Sequence, residues 1–250
     1  MKQRWNFLLA EPHVLLLLWL VGASLVIFGA SVTTDQGLVQ LMVDADQSRI
    51  CIVLILMYAV GLGHTFRRTL YLSREINHAV TVAGRLEQGA VPPSALRNRD
   101  TARAAGLPAG FVVDYLADVH AARSQPEGAE GGASDLLDAY ASRLRGAHEF
   151  GWFYIDLMLK VGFLGTLVGF ILMLGSVAET GTLDASTMQK VLQQMSVGMS
   201  TALYTTMASL VAGILLSVPY YLLDRGLEAL LQVTVHVKEV LVPPSVSAAA

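Results

Sequence analysis

Val161–Ser176 reads VGFLGTLVGFILMLGS, an apolar stretch without a charge in which small residues recur at helical spacing. Gly162, Thr166, Gly169, Met173 and Ser176 follow one another in steps of three or four and so share a face. Phe163, Leu167, Phe170, Ile171 and Leu174 fall largely on the other side. A core helix in a water-soluble protein buries its large apolar residues and turns small polar ones outward. In lipid the logic reverses: bulky side chains meet acyl tails, and Gly, Ser and Thr let another backbone come close. The stretch therefore reads as a membrane helix whose small-residue face packs against partners or lines a pathway.

The composition agrees. The chain has 250 residues, of which 54% are hydrophobic and 15% charged, with a mean hydropathy of +0.53. Ordinary soluble domains carry nearer ~25% charged residues. A net charge of −3 gives no basic face for nucleic acid. The single cysteine, Cys51, cannot form an internal disulfide.

Working outward, Pro12 opens an apolar run from His13 to Val32. Lys2 and Arg4 before it and small residues near Gly29–Ser31 resemble a signal peptide. The run is nevertheless long enough for a ~30 Å hydrocarbon core, whereas signal h-regions are usually ~7–15 residues, so a retained span is expected. Asp35, Asp44 and Asp46 make the next short loop acidic. A second span runs over Ile50–Gly63, extended to Phe66, with Arg49 before it and His64, Arg67 and Arg68 after. The basic cluster on one side and the acidic loop on the other place the N-terminus and the chain from Arg67 on in the cytoplasm.

Arg67 to about Phe150 is the one sizeable water-facing part. Arg67–Leu86 reads as helix, broken by Val91-Pro92-Pro93. Ser94–Arg103 and Phe111–Arg123 read as two short helices, and Pro126–Ala133 as a flexible linker in which no Gly-Lys-Ser/Thr makes a phosphate loop. Ser134 can cap a long helix, with Asp135 and Asp138 near its positive end, that runs on into the opening stretch. Asp156 and Lys160 can pair across one of its turns. Glu179–Gln194 reads as a short outer loop in which Asp184, Ser186 and Thr187 can cap the last helix. Val197–Leu223 is the longest span, with Gly198, Ala202, Thr205, Thr206, Ser209 and Gly213 repeating every three or four positions. Pro219 is expected to kink it. Leu227, Leu230 and Leu231 suggest a continuation ended by Pro243-Pro244.

The expected fold is an all-α integral membrane protein with four transmembrane helices and both termini inside. Its parts are a cytoplasmic N-terminus (1–12), spans at 13–33 and 49–66 around an outer loop (34–48), and a cytoplasmic helical segment (67–150). Spans at 151–178 and 195–223 follow around a second outer loop (179–194), then a cytoplasmic helix and tail (224–250).

Little here suggests catalysis. There is no Gly-x-Ser-x-Gly, no metal-ligand spacing and no carboxylate pair, and the six histidines are scattered; neither enzyme activity nor a cofactor is expected. The informative residues are Thr166, Thr201, Thr205 and Thr206. On one reading each hydroxyl bonds the carbonyl a turn earlier and simply tolerates lipid. On the other, hydroxyls on packed faces are polar stepping points for an ion. Val161–Ser176 and Val197–Leu223 hold no Asp, Glu, Lys, Arg or His. Proton transport through lipid normally requires an ionisable group, so an ion path here needs a carboxylate from another chain.

Gly162–Gly169, GFLGTLVG, resembles the Gly-Leu-x-Gly-Thr-x-x-Gly stretch in the penultimate span of the MotA/TolQ/ExbB family, the ring-forming subunits of ion-driven motors. Gly198–Thr206, GMSTALYTT, resembles that family's last-span Gly-x-x-x-Ala-Leu-x-x-Thr. By position, Thr166 and Thr206 match its two pore-lining threonines, with Thr205 and Thr201 beside them. Gly162, Gly165, Gly169, Gly198, Ala202, Ser209 and Gly213 are the expected close-packing positions. Thr201 stands where TolQ and ExbB proteins usually carry Glu, and Ser209 where Gly is common. Two N-terminal spans and a proline well downstream of Thr206 are more like the MotA branch.

The resemblance implies a bacterial inner-membrane pentamer around two helices of a single-span partner of the MotB/TolR/ExbD type, whose membrane Asp takes up the coupling ion, proton or sodium. A membrane scaffold or transporter subunit without ion flux is the competing reading. Neither the load of the motor nor the choice of ion is legible. Arg97, Arg99 and Arg103 form a basic cluster able to dock an acidic partner or simply to face solvent.

Overall fold

The computed structural model describes residues 13–123, 132–178 and 185–241. The described chain is helical without strands: α1 (Val14–Asp35), α2 (Leu38–Ala45), α3 (Ile50–Glu87), a 3₁₀ turn (Pro93–Arg97), α4 (Arg99–Ala104), α5 (Phe111–Arg123), α6 (Gly132–Ala178), α7 (Ala185–His236) and a π turn (Val237–Leu241). Four of the helices (α1, α3, α6 and α7) are long and apolar enough to cross a membrane. The protein is an all-α, multi-pass membrane protein. The 22 residues of α1 reach about 33 Å at ~1.5 Å per residue, enough for the hydrocarbon core.

Two compact units share these helices. One takes Leu20–Phe66 and Phe150–Tyr220; the other takes the chain through Trp19, Arg67–Glu149 and the chain from Tyr221 on. Their surfaces differ in kind. Phe28, Leu56, Phe163, Leu164, Ile171, Leu174, Leu203 and Ile214 of the first unit are all exposed, whereas the exposed large apolar residues of the second are Leu17, Tyr71, Tyr221 and Val240. A surface of that size and apolarity is stable only against lipid, so the first unit is the membrane-embedded one.

In the second unit, the face of α3 formed by Leu72, Ile76, Ala79 and Val82 is buried at helical spacing, as are Tyr115, Leu116 and Val119 of α5 and Leu223, Leu227 and Leu230 of α7. This is an ordinary water-excluded core. Both α3 and α4 stop in the same way. Gly89 and Gly106 take left-handed backbone (φ 66° and 73°), and Ala90 and Leu107 donate back to Arg85 and Ala102. Only a residue without a Cβ does this cheaply. The expected helix over Ser94–Arg103 is divided by Asn98, whose extended backbone ends the 3₁₀ turn and whose side chain caps α4 reciprocally with Thr101. α5 begins at Phe111, as read from the sequence, and is helical to Arg123, the last described residue before 124–131.

Of the three clustered arginines, Arg99 is bound by Asp114 (2.8 Å) and Asp118 (2.9 Å), and Arg103 lies 3.9 Å from Asp100. The cluster is therefore largely neutralised within its own surface. Tyr140 of α6 donates to Asp118 and sets its ring edge-on to Phe111 and Tyr115, which fastens α6 to α5. Burial and this bond to a carboxylate push the Tyr140 phenol up to about 12. The neutral phenol is thus favoured in the folded state, and its contribution is complete below pH ~10 and lost as pH rises from ~10 to ~12. Tyr140→Phe should cost roughly 1 kcal/mol at neutral pH, given partial solvent screening. It should also flatten the alkaline decline in thermal unfolding; an unchanged decline would assign that transition to other groups.

Two sequence expectations need correction. Residues 34–48 are not simply a loop: Gly37 turns the chain (φ 72°) and Leu38–Ala45 form a helix, since Leu38, Leu41 and Met42 recur at helical spacing. Residues 185–194 are not loop either. α7 is already helical at Ala185, the first described residue after 179–184, so Ser186 and Thr187 lie within helix; the stretch lacks Gly and Pro and is rich in Met, Gln, Lys and Leu, which sustain helix. Asp184 and residues 179–184 lie outside the described residues, as do most of the Pro126–Ala133 linker and Pro243-Pro244. α6 is already helical at Gly132, the first described residue after 124–131, and runs without a break to Ala178 as expected. Asp156 and Lys160 pair at 2.5 Å. α7 continues as helix through Pro219.

Candidate functional site: the seam between α6 and α7

The membrane-embedded unit is organised on the contact between α6 and α7, which run antiparallel. A Cβ built on Gly162 would lie 1.9 Å from Ser209 Oγ, one on Gly165 2.6 Å from Thr205, and one on Gly169 2.7 Å from both Ala202 N and Gly198 O. On the facing helix, a Cβ on Gly198 would lie 2.8 Å from Gly169 O and Met173 N. Around Gly169 and Gly198 the two backbones therefore touch, which only small residues permit. Ser209 supplies the extra atom that Gly162 leaves room for, and donates to Thr206 O (2.9 Å). A Cβ on Gly213 would lie 3.2 Å from Leu159 Cδ2, closer than ordinary contact, so Leu159 would have to give way slightly.

The same seam continues to Gly151, where a Cβ would fall 2.0 Å from the Tyr220 ring. Gly151 reads in sequence as a mere weak point of the helix, because its partner stands 69 positions away. Tyr220 in turn meets His64 Nδ1 through its hydroxyl (2.8 Å), and Gly61 leaves space for Leu216 (2.6 Å). Gly61, Gly151 and Tyr220 are structural residues the sequence reading did not single out.

The four threonines part company. Thr205 is fully buried over Gly165 and donates within its own helix to Thr201 O (3.0 Å) and Ala202 O (3.1 Å). Thr201 is also fully buried, and its hydroxyl is spent on the turn between α2 and α3: it donates to Ala45 O (3.0 Å) and accepts from Gln47 N (3.3 Å). Asp46, buried in that turn, accepts from Ser48 N (2.9 Å), Ser48 Oγ (2.5 Å) and Cys51 N (2.7 Å), capping the start of α3. Thr201 and Thr205 thus face the interior of the subunit rather than a surface where a pathway between chains would run. Thr201→Val should leave Ala45 O and Gln47 N unpaired at a cost of ~1–3 kcal/mol, and Thr201→Ser should restore it. Hydrogen exchange over 45–51 is the readout; exchange unchanged in the valine variant would show that the bonds do not hold the turn.

Thr166 and Thr206 alone come together. Their hydroxyls hydrogen-bond to each other across the seam. Thr206 Oγ1 also lies 3.0 Å from Ala202 O, and Thr166 Oγ1 3.4 Å from Gly162 O. Each hydroxyl has a single proton, so the pair has two protons for three acceptor contacts, and its polarity can be reset by turning one O–H. Both residues are only half-buried. Phe163, Phe170, Leu203 and Leu210, each at least 49% exposed, stand three or four positions from the pair and flank it on the same side of their helices, so Phe163 and Phe170 border Thr166 rather than lying opposite it as read from the sequence. The pair is a polar spot on an otherwise apolar outer edge. Through Val161–Ala178 and Val197–Leu223 no Asp, Glu, Lys, Arg or His accompanies it, and no group of metal-holding side chains occurs among the described residues.

Residues 115–234, from α5 to the end of α7, match the model of the MotA/TolQ/ExbB proton channel family. The chain carries a MotA/TolQ/ExbB proton channel family domain. That domain contains α6, α7 and the whole seam. No curated protein and no solved structure matches the chain. The matched stretch, a little under half of the chain, is thus similar to a family of proton channels.

Proposed function

We propose that this chain is the ring-forming subunit of a proton- or sodium-driven motor or energy-transducing channel of the bacterial inner membrane, with both termini cytoplasmic. Its copies, five by the resemblance, surround a single-span partner dimer of the MotB/TolR/ExbD type that supplies the titrating Asp. The observation that carries the reading is the Thr166–Thr206 hydroxyl pair on the open edge of a glycine-packed seam, in a stretch where Val161–Ser176 and Val197–Leu223 hold no Asp, Glu, Lys, Arg or His. Such a pair donates to an ionised carboxylate and, with one O–H turned back to its carbonyl, accepts from the protonated acid. It therefore serves both states of an Asp brought from outside, and a change in that Asp's charge alters the partner's fit against the ring. No cofactor enters this scheme beyond the coupling ion.

The back-bonds of Thr166 and Thr206 to Gly162 and Ala202 also suit a scaffold in which the threonines only pack. Native mass of the complex in mild detergent separates the readings. Five copies with two partner chains are expected. A stable monomer or dimer that retains no partner would favour the scaffold.

A further inference from the structure

We infer that a phospholipid acyl chain occupies the cavity between α1, α2, α3 and α7. The cavity, of about 500 Å³, lies within the membrane-embedded unit at the end where α1 turns into α2. Its size falls in the range of small-ligand pockets, roughly 300–1,000 Å³. α7 floors it with Ala208 and Ala212, small residues set between the large Met207 and Val211, and α3 walls it with Leu54 and Tyr58. α1 does not close the gap, because none of residues 20–35 is buried.

The chemistry of the wall selects the occupant. Thr33 and Thr34 border the cavity, but their hydroxyls already donate to Gly29 and Ala30 carbonyls (3.0 and 2.7 Å). An ordered water needs ~2–4 polar partners, and a lining of apolar side chains with two spent threonine hydroxyls and the one phenol of Tyr58 offers too few. A polar metabolite meets the same objection. The surroundings decide the rest: Leu25, Phe28 and Val32 of α1 and Val211, Ile214 and Val218 of α7 are exposed apolar residues of the embedded unit, so the medium at the cavity's mouth is acyl chain. A tail from the leaflet at the α1–α2 turn meets a lining that is almost wholly apolar, and fills space that would otherwise cost lost contacts along every wall. This inference rests on the bilayer location alone and is independent of the ion-motor reading.

The test is native mass spectrometry of the detergent-extracted complex, washed with lipid-free detergent, for the unaltered chain and for Ala208→Phe/Ala212→Phe. The unaltered protein should retain one phospholipid per chain. The double variant, its groove filled by its own side chains, should lose that lipid and keep its oligomeric mass. Should the double variant not fold, Ala212→Leu serves for the same comparison. The inference is overturned if the unaltered protein washes free of lipid, or if the variants retain as much as it does. A variant that folds but loses its neighbouring copies also overturns it, since the groove would then hold a second copy of the chain.

Discussion

Gly169→Ala is expected to destabilise the protein strongly for a change of one methyl group. The added carbon would stand 2.7 Å from two backbone atoms of α7, Ala202 N and Gly198 O. A side chain can turn away from such a clash; a helix backbone can relieve it only by moving as a whole. That motion opens the contacts at Gly162–Ser209 and Gly165–Thr205 on the same seam. Overpacking typically costs ~1–3 kcal/mol, and with no local relief the upper end of that range or beyond is expected. The control is built into the same helix. Gly175 has nothing within 4 Å of its added Cβ, so Gly175→Ala should be neutral or stabilising by up to ~1 kcal/mol through helix propensity. Thermal unfolding of the two variants in one detergent reads the difference. Equal midpoints would mean that α6 and α7 are not packed in this register.

Thr206→Val should leave the folded assembly nearly intact while removing most ion-dependent activity. The substitution keeps the shape, and Thr166 retains Gly162 O as an acceptor, so the stability cost should stay below ~1 kcal/mol. A hydrogen bond to a charged group, by contrast, is worth ~1.5–3 kcal/mol; if it forms only as the partner's carboxylate changes state, its loss slows the cycle roughly ten- to hundredfold. Thr206→Ser restores the hydroxyl and should restore much of the rate. Ion-dependent activity, measured beside the native mass of each variant, separates the two roles. Full activity in Thr206→Val would remove the threonine pair from the mechanism, whereas lost assembly would make it a packing contact.

Much of this architecture could be read without coordinates because hydrocarbon imposes simple rules. The start of α5 was legible to the residue, since Gly106-Leu107-Pro108 and Gly110 stop the chain before it. α6 was legible as one helix because nothing between Ser134 and Ser176 breaks it. The extent of α7 was misjudged for a definite reason: hydropathy marks where lipid ends, not where helix ends, and residues 185–194 are polar enough to leave the membrane while remaining good helix formers. The same confusion made a loop of residues 38–45.

The sequence by itself determined that the chain crosses a membrane, and that its last two spans carry small-residue faces without charge. Composition and helical spacing are local properties, and the apolar solvent reads them directly. Only the tertiary structure decided which small residue serves which purpose. Thr205 and Thr206 are neighbours in the chain, yet ~100° of helix rotation per residue sends one over Gly165 and the other to Thr166 at the outer edge. Thr201, one turn earlier, is claimed by a turn that lies 154 residues back in the chain. A period specifies directions around a helix axis; what stands in each direction depends on the neighbouring helices, and so the assignment of the threonines required the fold.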